Sequence, residues 1–242
     1  MASAAGYRRA TRHPWPCLLF VLPLLAGYEF GVIWLSDGDS ETLRNGADLW
    51  VRCWLTALHQ ALLWVPPALL VLVFLIWTGC RWGDRPGQMI GTLSGMLLES
   101  VGYALGLWGL ARALAPLLHR VGVALATGET GEAGLRLTVH YLGSGIYEEA
   151  IFRLFLFSML LWVLRRFDLR EGIASLSAGI ASALLFSAAH YWGPYGEEYS
   201  TYSFLFRLVA GLYFAWLFRA RGFGVAVGSH VCFNLMVSLG AT

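Results

Sequence analysis

Three apolar stretches of the chain carry polar side chains at helical spacing. One reads Tyr147-Glu148-Glu149-Ala150-Ile151-Phe152-Arg153. A second ends Phe186-Ser187-Ala188-Ala189-His190, and a third reads His230-Val231-Cys232-Phe233-Asn234. Glu149 and Arg153 stand four apart, so they share a helical face, with the acid ahead of the base in the better order for an ion pair. Glu148 points about 100° away from Glu149, which leaves the two carboxylates free for different jobs. His230 and Asn234 stack in the same i, i+4 manner. A carboxylate and an imidazole in a dry site can activate water. A neighbouring His–Asn pair offers donors to a developing oxyanion, the usual electrostatic need in acyl transfer. Unrelated polar fasteners between helices would account for any one of these clusters; three of them on three stretches point to a single site.

The elements that must position these residues follow from composition. Of 242 residues, 57% are hydrophobic and 13% charged, the latter about half the roughly 25% usual for a soluble domain. Mean hydropathy is +0.61. A soluble globule of this length does not hide that much apolar surface. These values exclude a disordered chain, a nucleic-acid reader with a basic face and an ordinary cytosolic enzyme. In lipid, backbone groups pair within each segment, which makes the spans helices, and each needs about 20 residues. The chain therefore reads as an all-α polytopic transmembrane bundle of about seven spans, within a range of about six to eight. The apolar stretches lie at 15–35, 54–77, 88–118, 139–163, 172–192, 203–218 and 222–240. Pro66 and Pro67 predict a kink in the second span. Gly91, Gly95, Gly102 and Gly106 are spaced for close helix contact in the third.

All 17 basic residues are arginine, and the net charge is +2. Arg8, Arg9, Arg12, Arg81, Arg85, Arg165, Arg166, Arg170, Arg219 and Arg221 fall in alternate connections. The opposite set holds Arg44, Arg52, Arg120 and Arg136 with most of the acids: Asp37, Asp39, Glu41, Asp48, Glu129, Glu132, Glu197 and Glu198. The positive-inside rule then places the N-terminus in the cytoplasm and the C-terminus outside. Trp77, Trp82, Trp162 and Trp192 stand at span ends as interfacial anchors. The first apolar run is too long for a signal peptide and reads as a retained span; Arg8-Arg9 as a twin-arginine signal lacks its flanking pattern. Cys17, Cys53, Cys80 and Cys232 show no metal or disulfide spacing and read as buried apolar fillers.

Other intramembrane polar groups have plainer readings. Arg112 and Arg207 lie near span ends, where they can snorkel. Glu29 and Glu99 are single acids that a neighbouring helix can satisfy. His59 reads as a packing residue at the mouth of the second span.

The three clusters together resemble the signature of the CPBP family of intramembrane proteases, the CAAX-protease and bacteriocin-processing group also called Abi, which includes the Ras-converting CAAX endopeptidase. That signature runs E-E-x-x-x-R, F-x-x-x-H and H-x-x-x-N or H-x-x-x-D. Here it falls on Glu148, Glu149 and Arg153, then Phe186 and His190, then His230 and Asn234. The resemblance covers roughly residues 140–240. It divides the chain into N-terminal variable spans one to three, 1–138, and CPBP-like catalytic spans four to seven, 139–242, within one integral-membrane unit.

The resemblance implies an intramembrane endopeptidase acting on a membrane-anchored protein or peptide. Glu148 would be the general base, His190 would help hold the water, Arg153 would fix a carboxylate (Glu149 by helical geometry), and His230 with Asn234 would supply the oxyanion hole. Metal-free glutamate catalysis is the favoured form. Zinc held by Glu148, His190 and His230 stays open beside it, with no H-E-x-x-H spacing to support it. The charge count puts the site toward the outer half of a bacterial inner membrane. That favours a membrane-anchored peptide or C-terminal sorting segment over a prenylated CAAX protein presented from the cytosol. Lipid is the expected surrounding partner, nucleic acid is not expected, and the oligomeric state is open. A non-catalytic peptide-binding or immunity factor, and a small proton-coupled transporter, remain as alternatives.

Overall fold

A computed structural model of the chain describes residues 4–36, 43–119, 133–193 and 196–240. Asp37, Asp39, Glu41, Arg120, Glu129 and Glu132 lie outside the described residues. The described residues are helical, with no strand among them. A short helix α1, Ala4–Thr11, leads into α2, Pro14–Leu35. His13 caps α2 by accepting from the Trp15 N–H at 3.2 Å, and Pro14 opens it, a position where its missing donor costs nothing. Then come α3, Gly46–Thr56, α4, Val65–Cys80, and α5, Met89–His119. One long helical segment follows, made of α6, Ala133–Gly143, wider π-helical turns over Ser144–Glu148 and Ala150–Phe157, and α7, Ser158–Arg166. The chain finishes with α8, Glu171–Ala189, α9, Thr201–Arg221, and α10, Phe223–Gly240.

Among the described residues, five helices are long and apolar enough to cross a membrane: Pro14–Leu35, Leu62–Cys80, Met89–Leu114, Glu171–Ala189 and Thr201–Arg221. Phe223–Ser238 is apolar but shorter. The predicted fourth stretch is helical throughout, but its polar residues and π turns break its apolar run. The second stretch differs from expectation. Residues 54–56 end α3, and the apolar helix starts at Val65 after a 3-10 turn over Gln60–Trp64. Pro66 and Pro67 therefore begin α4 instead of kinking it, since a helix start has no use for their missing N–H.

Helix α10 is the hub. It lies against α5, α9, α2 and the first π turns, and residues 221–231 are buried without a break. A helix apolar on every side belongs inside a bundle, and that explains how an 18-residue helix can carry His230 into the interior. Two glycines make this packing possible. Gly222 turns the chain from α9 into α10 in one residue at φ 95°, a conformation that suits glycine. Gly145 lets α10 approach the π turns, because a Cβ there would meet the Val231 nitrogen at 3.1 Å and the Val227 oxygen at 3.3 Å. Of the four glycines expected to bring helices together, Gly95 meets Tyr7 and Gly106 meets Tyr213, while Gly91 and Gly102 face open space.

The cysteine expectation holds for Cys17, which is buried; Cys53 and Cys80 are exposed and Cys232 is half-buried. His59 is exposed in the turn after α3, so it is no core packing residue. Trp77, Trp82, Trp162 and Trp192 all present exposed rings. Arg112 lies over the Trp108 ring at 4.5 Å, and Glu99 is paired with Arg221 at 2.5 Å.

Candidate active site

The π turns bring both glutamates inward. Glu149 and Arg153 are fully buried, and Glu148 is nearly so. Stretches of π-helix are rare and occur mostly at functional sites. Glu149 Oε1 lies 3.2 Å from Arg153 Nη1 and 2.9 Å from His230 Nδ1. Arg153 also donates from Nη2 to the Gly211 carbonyl at 3.3 Å, and its guanidinium sits 4.3 Å above the Phe186 ring. The carboxylate is an acceptor only, so His230 carries its proton on Nδ1 and turns Nε2 toward Glu148. The Nε2 to Glu148 Oε2 distance is 3.6 Å, too long for a direct hydrogen bond.

His190 caps α8. Its Nδ1 lies 2.9 Å from the Phe186 carbonyl. A carbonyl only accepts, which fixes the Nδ1–H tautomer and leaves the Nε2 lone pair free. His190 is half-buried and within electrostatic reach of Glu148. Phe186 explains why an aromatic ring one turn before the histidine matters. It packs edge-on against His190 at 5.0 Å and His230 at 6.3 Å while carrying Arg153 on its face. The Phe214 ring stacks on His230 at 4.5 Å, leaving the imidazole little room to tilt. Asn234 stands a turn further along α10 and donates from Nδ2 to Ser144 Oγ at 2.7 Å. Ser144 is itself one turn before Glu148.

On the other side of Glu148 lie partners that no motif in the sequence marks. Asn45 donates from Nδ2 to Glu148 Oε1 at 2.9 Å. Around it, Arg44, Asp48 and Arg52, expected as ordinary connection charges, are buried with Glu29. Asp48 accepts from Arg44 at 2.8 Å, Arg52 at 2.6 Å and the Tyr28 hydroxyl at 2.7 Å. Glu29 accepts from Arg52 at 2.5 Å and from the Tyr147 hydroxyl at 2.8 Å. Burial is the largest single influence and pulls both guanidinium pKa values down; Asp48 and Glu29 together outweigh it, with Tyr147 adding to Arg52, and hold Arg44 and Arg52 above the ordinary arginine value. Two acids and two bases cancel, which is what makes this burial tolerable. The signal was legible: Arg44, Asp48 and Arg52 are spaced i, i+4, i+8, one face of a helix. Arg207, expected to snorkel, instead pairs with Glu197 at 2.6 Å and donates to the Tyr191 hydroxyl at 3.3 Å, beside His190.

No group of three or more His, Cys, Asp or Glu side chains placed to hold a metal ion occurs among the described residues.

Long apolar helices around buried acids, imidazoles and a guanidinium define an integral membrane protein with an interior polar site. Residues 131–236 match the family model described as Type II CAAX prenyl endopeptidase Rce1-like. This stretch is thus similar to the Rce1-like peptide hydrolases of the CPBP family. Comparison with curated proteins and with solved structures found no match.

Proposed function

We propose that the protein is an intramembrane endopeptidase that hydrolyses a peptide bond of a membrane-anchored protein or peptide. The observation that carries this reading is the buried meeting of Glu148, Glu149, Arg153 and His230, with His190 in reach, inside the Rce1-like stretch. A water molecule between Glu148 Oε2 and His190 Nε2 gives up a proton to Glu148 as its oxygen adds to the scissile carbonyl. The Glu148 proton then passes to the leaving amine, so the same group serves as base and acid. His230 supplies a donor to the oxyanion once Nε2 also carries a proton, and Asn234 supplies another. Glu149 orients His230 through Nδ1, as a carboxylate does for an imidazole in hydrolase triads. Two carboxylates against one guanidinium leave one negative charge over, which a proton on His230 Nε2 balances while Glu148 stays ionised as the base. Glutamate chemistry without a metal fits this arrangement because each His230 nitrogen already faces a carboxylate.

The arginine distribution favours a site opening toward the outer half of the membrane and a substrate reached from that side. The decisive experiment compares membrane-peptide profiles of cells with the native protein and with Glu148→Gln. A peptide that accumulates uncleaved only in the variant is the expected result. Identical profiles, with the variant present at native levels, would remove the catalytic reading. Cysteine-reactivity mapping of positions 196–200 tests the side. Labelling by an impermeant reagent from outside is expected, and labelling from the cytoplasm would reverse the orientation.

A further inference from the structure

Asn45 lies outside the stretch that matches the family model, yet its amide is built into the site from both ends. Nδ2 donates to Glu148 Oε1 at 2.9 Å, and Oδ1 caps α3 by accepting from the Ala47 N–H at 2.8 Å. The two contacts fix the amide orientation, because the flipped form would set oxygen against carboxylate and N–H against N–H. The Asn45 backbone N–H donates to the Tyr28 hydroxyl at 3.3 Å. Tyr28 in turn holds Asp48, within the balanced cage of Glu29, Arg44, Asp48 and Arg52. At the far side of α3, Trp50 meets the Trp192 ring at 6.5 Å, two residues past His190. The second-half residues that do the chemistry are thus gripped by a helix from the first half.

We infer that Asn45 is a positioning residue of the hydrolytic site: it ties up Glu148 Oε1 and so directs Oε2 toward the water and the two histidines. This rests on Glu148 being the base. The cage carries no net charge of its own, so its contribution is geometric. It keeps Asn45 at a fixed distance from Glu148 and denies that carboxylate a second rotamer.

The N-cap and the donor can be separated. Asn45→Ser keeps a good cap, but serine is too short to reach Glu148; Asn45→Asp keeps the cap and replaces the donor with an acceptor. The probe is an internally quenched peptide bearing an S-farnesyl cysteine, in detergent micelles, with Glu148→Gln as the reference. Asn45→Ser is expected to melt close to the native protein, whereas Asn45→Asp, which sets a second buried carboxylate against Glu148, is expected to melt lower. For each, kcat is expected to fall about 10- to 100-fold at unchanged KM, the scale of one hydrogen bond to a charged group. The infrared band of the Glu148 carboxyl, identified by its loss in Glu148→Gln, is expected to shift in Asn45→Ser. An unmoved band overturns the proposal whether or not the probe is cut. A shifted band with native kcat overturns the positioning role and leaves Glu148 as base intact. Native cleavage by Glu148→Gln removes the base itself, which is the failure of the hydrolase reading.

Discussion

Deleting the charge of Arg153 is expected to be among the most damaging single changes in the protein. Its side chain and that of Glu149 are both wholly buried. Among the described residues, Glu149 has two partners, Arg153 and His230, both on Oε1, and its Oε2 has no hydrogen-bond partner. Arg153→Met keeps an apolar stem against Phe186 and Phe214 but strands that carboxylate with one imidazole. Breaking a buried pair from one side costs about 3–5 kcal/mol, a large part of the roughly 5–15 kcal/mol that separates folded from unfolded domains. At about 2–4 °C per kcal/mol for a chain of this size, the midpoint of thermal unfolding should drop by about 6–20 °C. The fluorescence of the 11 tryptophans in detergent reads this directly. Adding Glu149→Gln removes the stranded charge, so the double variant is expected to be more stable than the sum of the two losses by about 2 kcal/mol, within the usual span for contacting residues. Additive losses, or a native melting midpoint in Arg153→Met, would refute the claim that this ion pair organises the site.

Gly145→Ala should push α10 off the π turns at a cost of about 1–3 kcal/mol and impair processing, whereas Gly172→Ala, which meets open space, should change neither; equal effects on melting would contradict the close approach. His190→Leu should melt within about 1 kcal/mol of the native protein yet lower the hydrolysis rate by about 10²- to 10⁴-fold, and an active variant would remove His190 from the water site. Arg221→Gln breaks the two-pronged contact with Glu99, at 3.0 and 2.5 Å, that lies under the Tyr7 ring. Trypsin should then cut faster after Arg8 and Arg9 in α1, and unchanged cleavage would show that α1 is held by other means.

Much of the site was legible because helical spacing maps onto geometry without further knowledge. Glu149 and Arg153 meet as an i, i+4 pair, and five apolar stretches reappear as long apolar helices. The π turns were not legible, since widening a helical turn depends on how Gly145 packs under Val231 and leaves no mark in local periodicity. The partners of Glu148 were obscured for another reason. Counting Arg44, Asp48 and Arg52 as connection charges assumed that polar residues between spans face water. Here they form a neutral cluster inside the protein; their i, i+4, i+8 spacing marks one helix face, and the contacts from α2 and from Tyr147 show that this face turns inward. Likewise Pro66 and Pro67 signalled a disturbance correctly but not its kind, because a kink and a start differ only in what precedes them.

The enclosure of α10 has a consequence for how the protein responds to its bilayer. Residues 221–231 are buried within the chain, so a thicker or thinner membrane first tilts the outer helices and is felt at His230 only after they have absorbed the strain. Changing acyl-chain length in reconstituted vesicles should therefore alter how readily an anchored substrate reaches the enzyme far more than it alters the bond-breaking step.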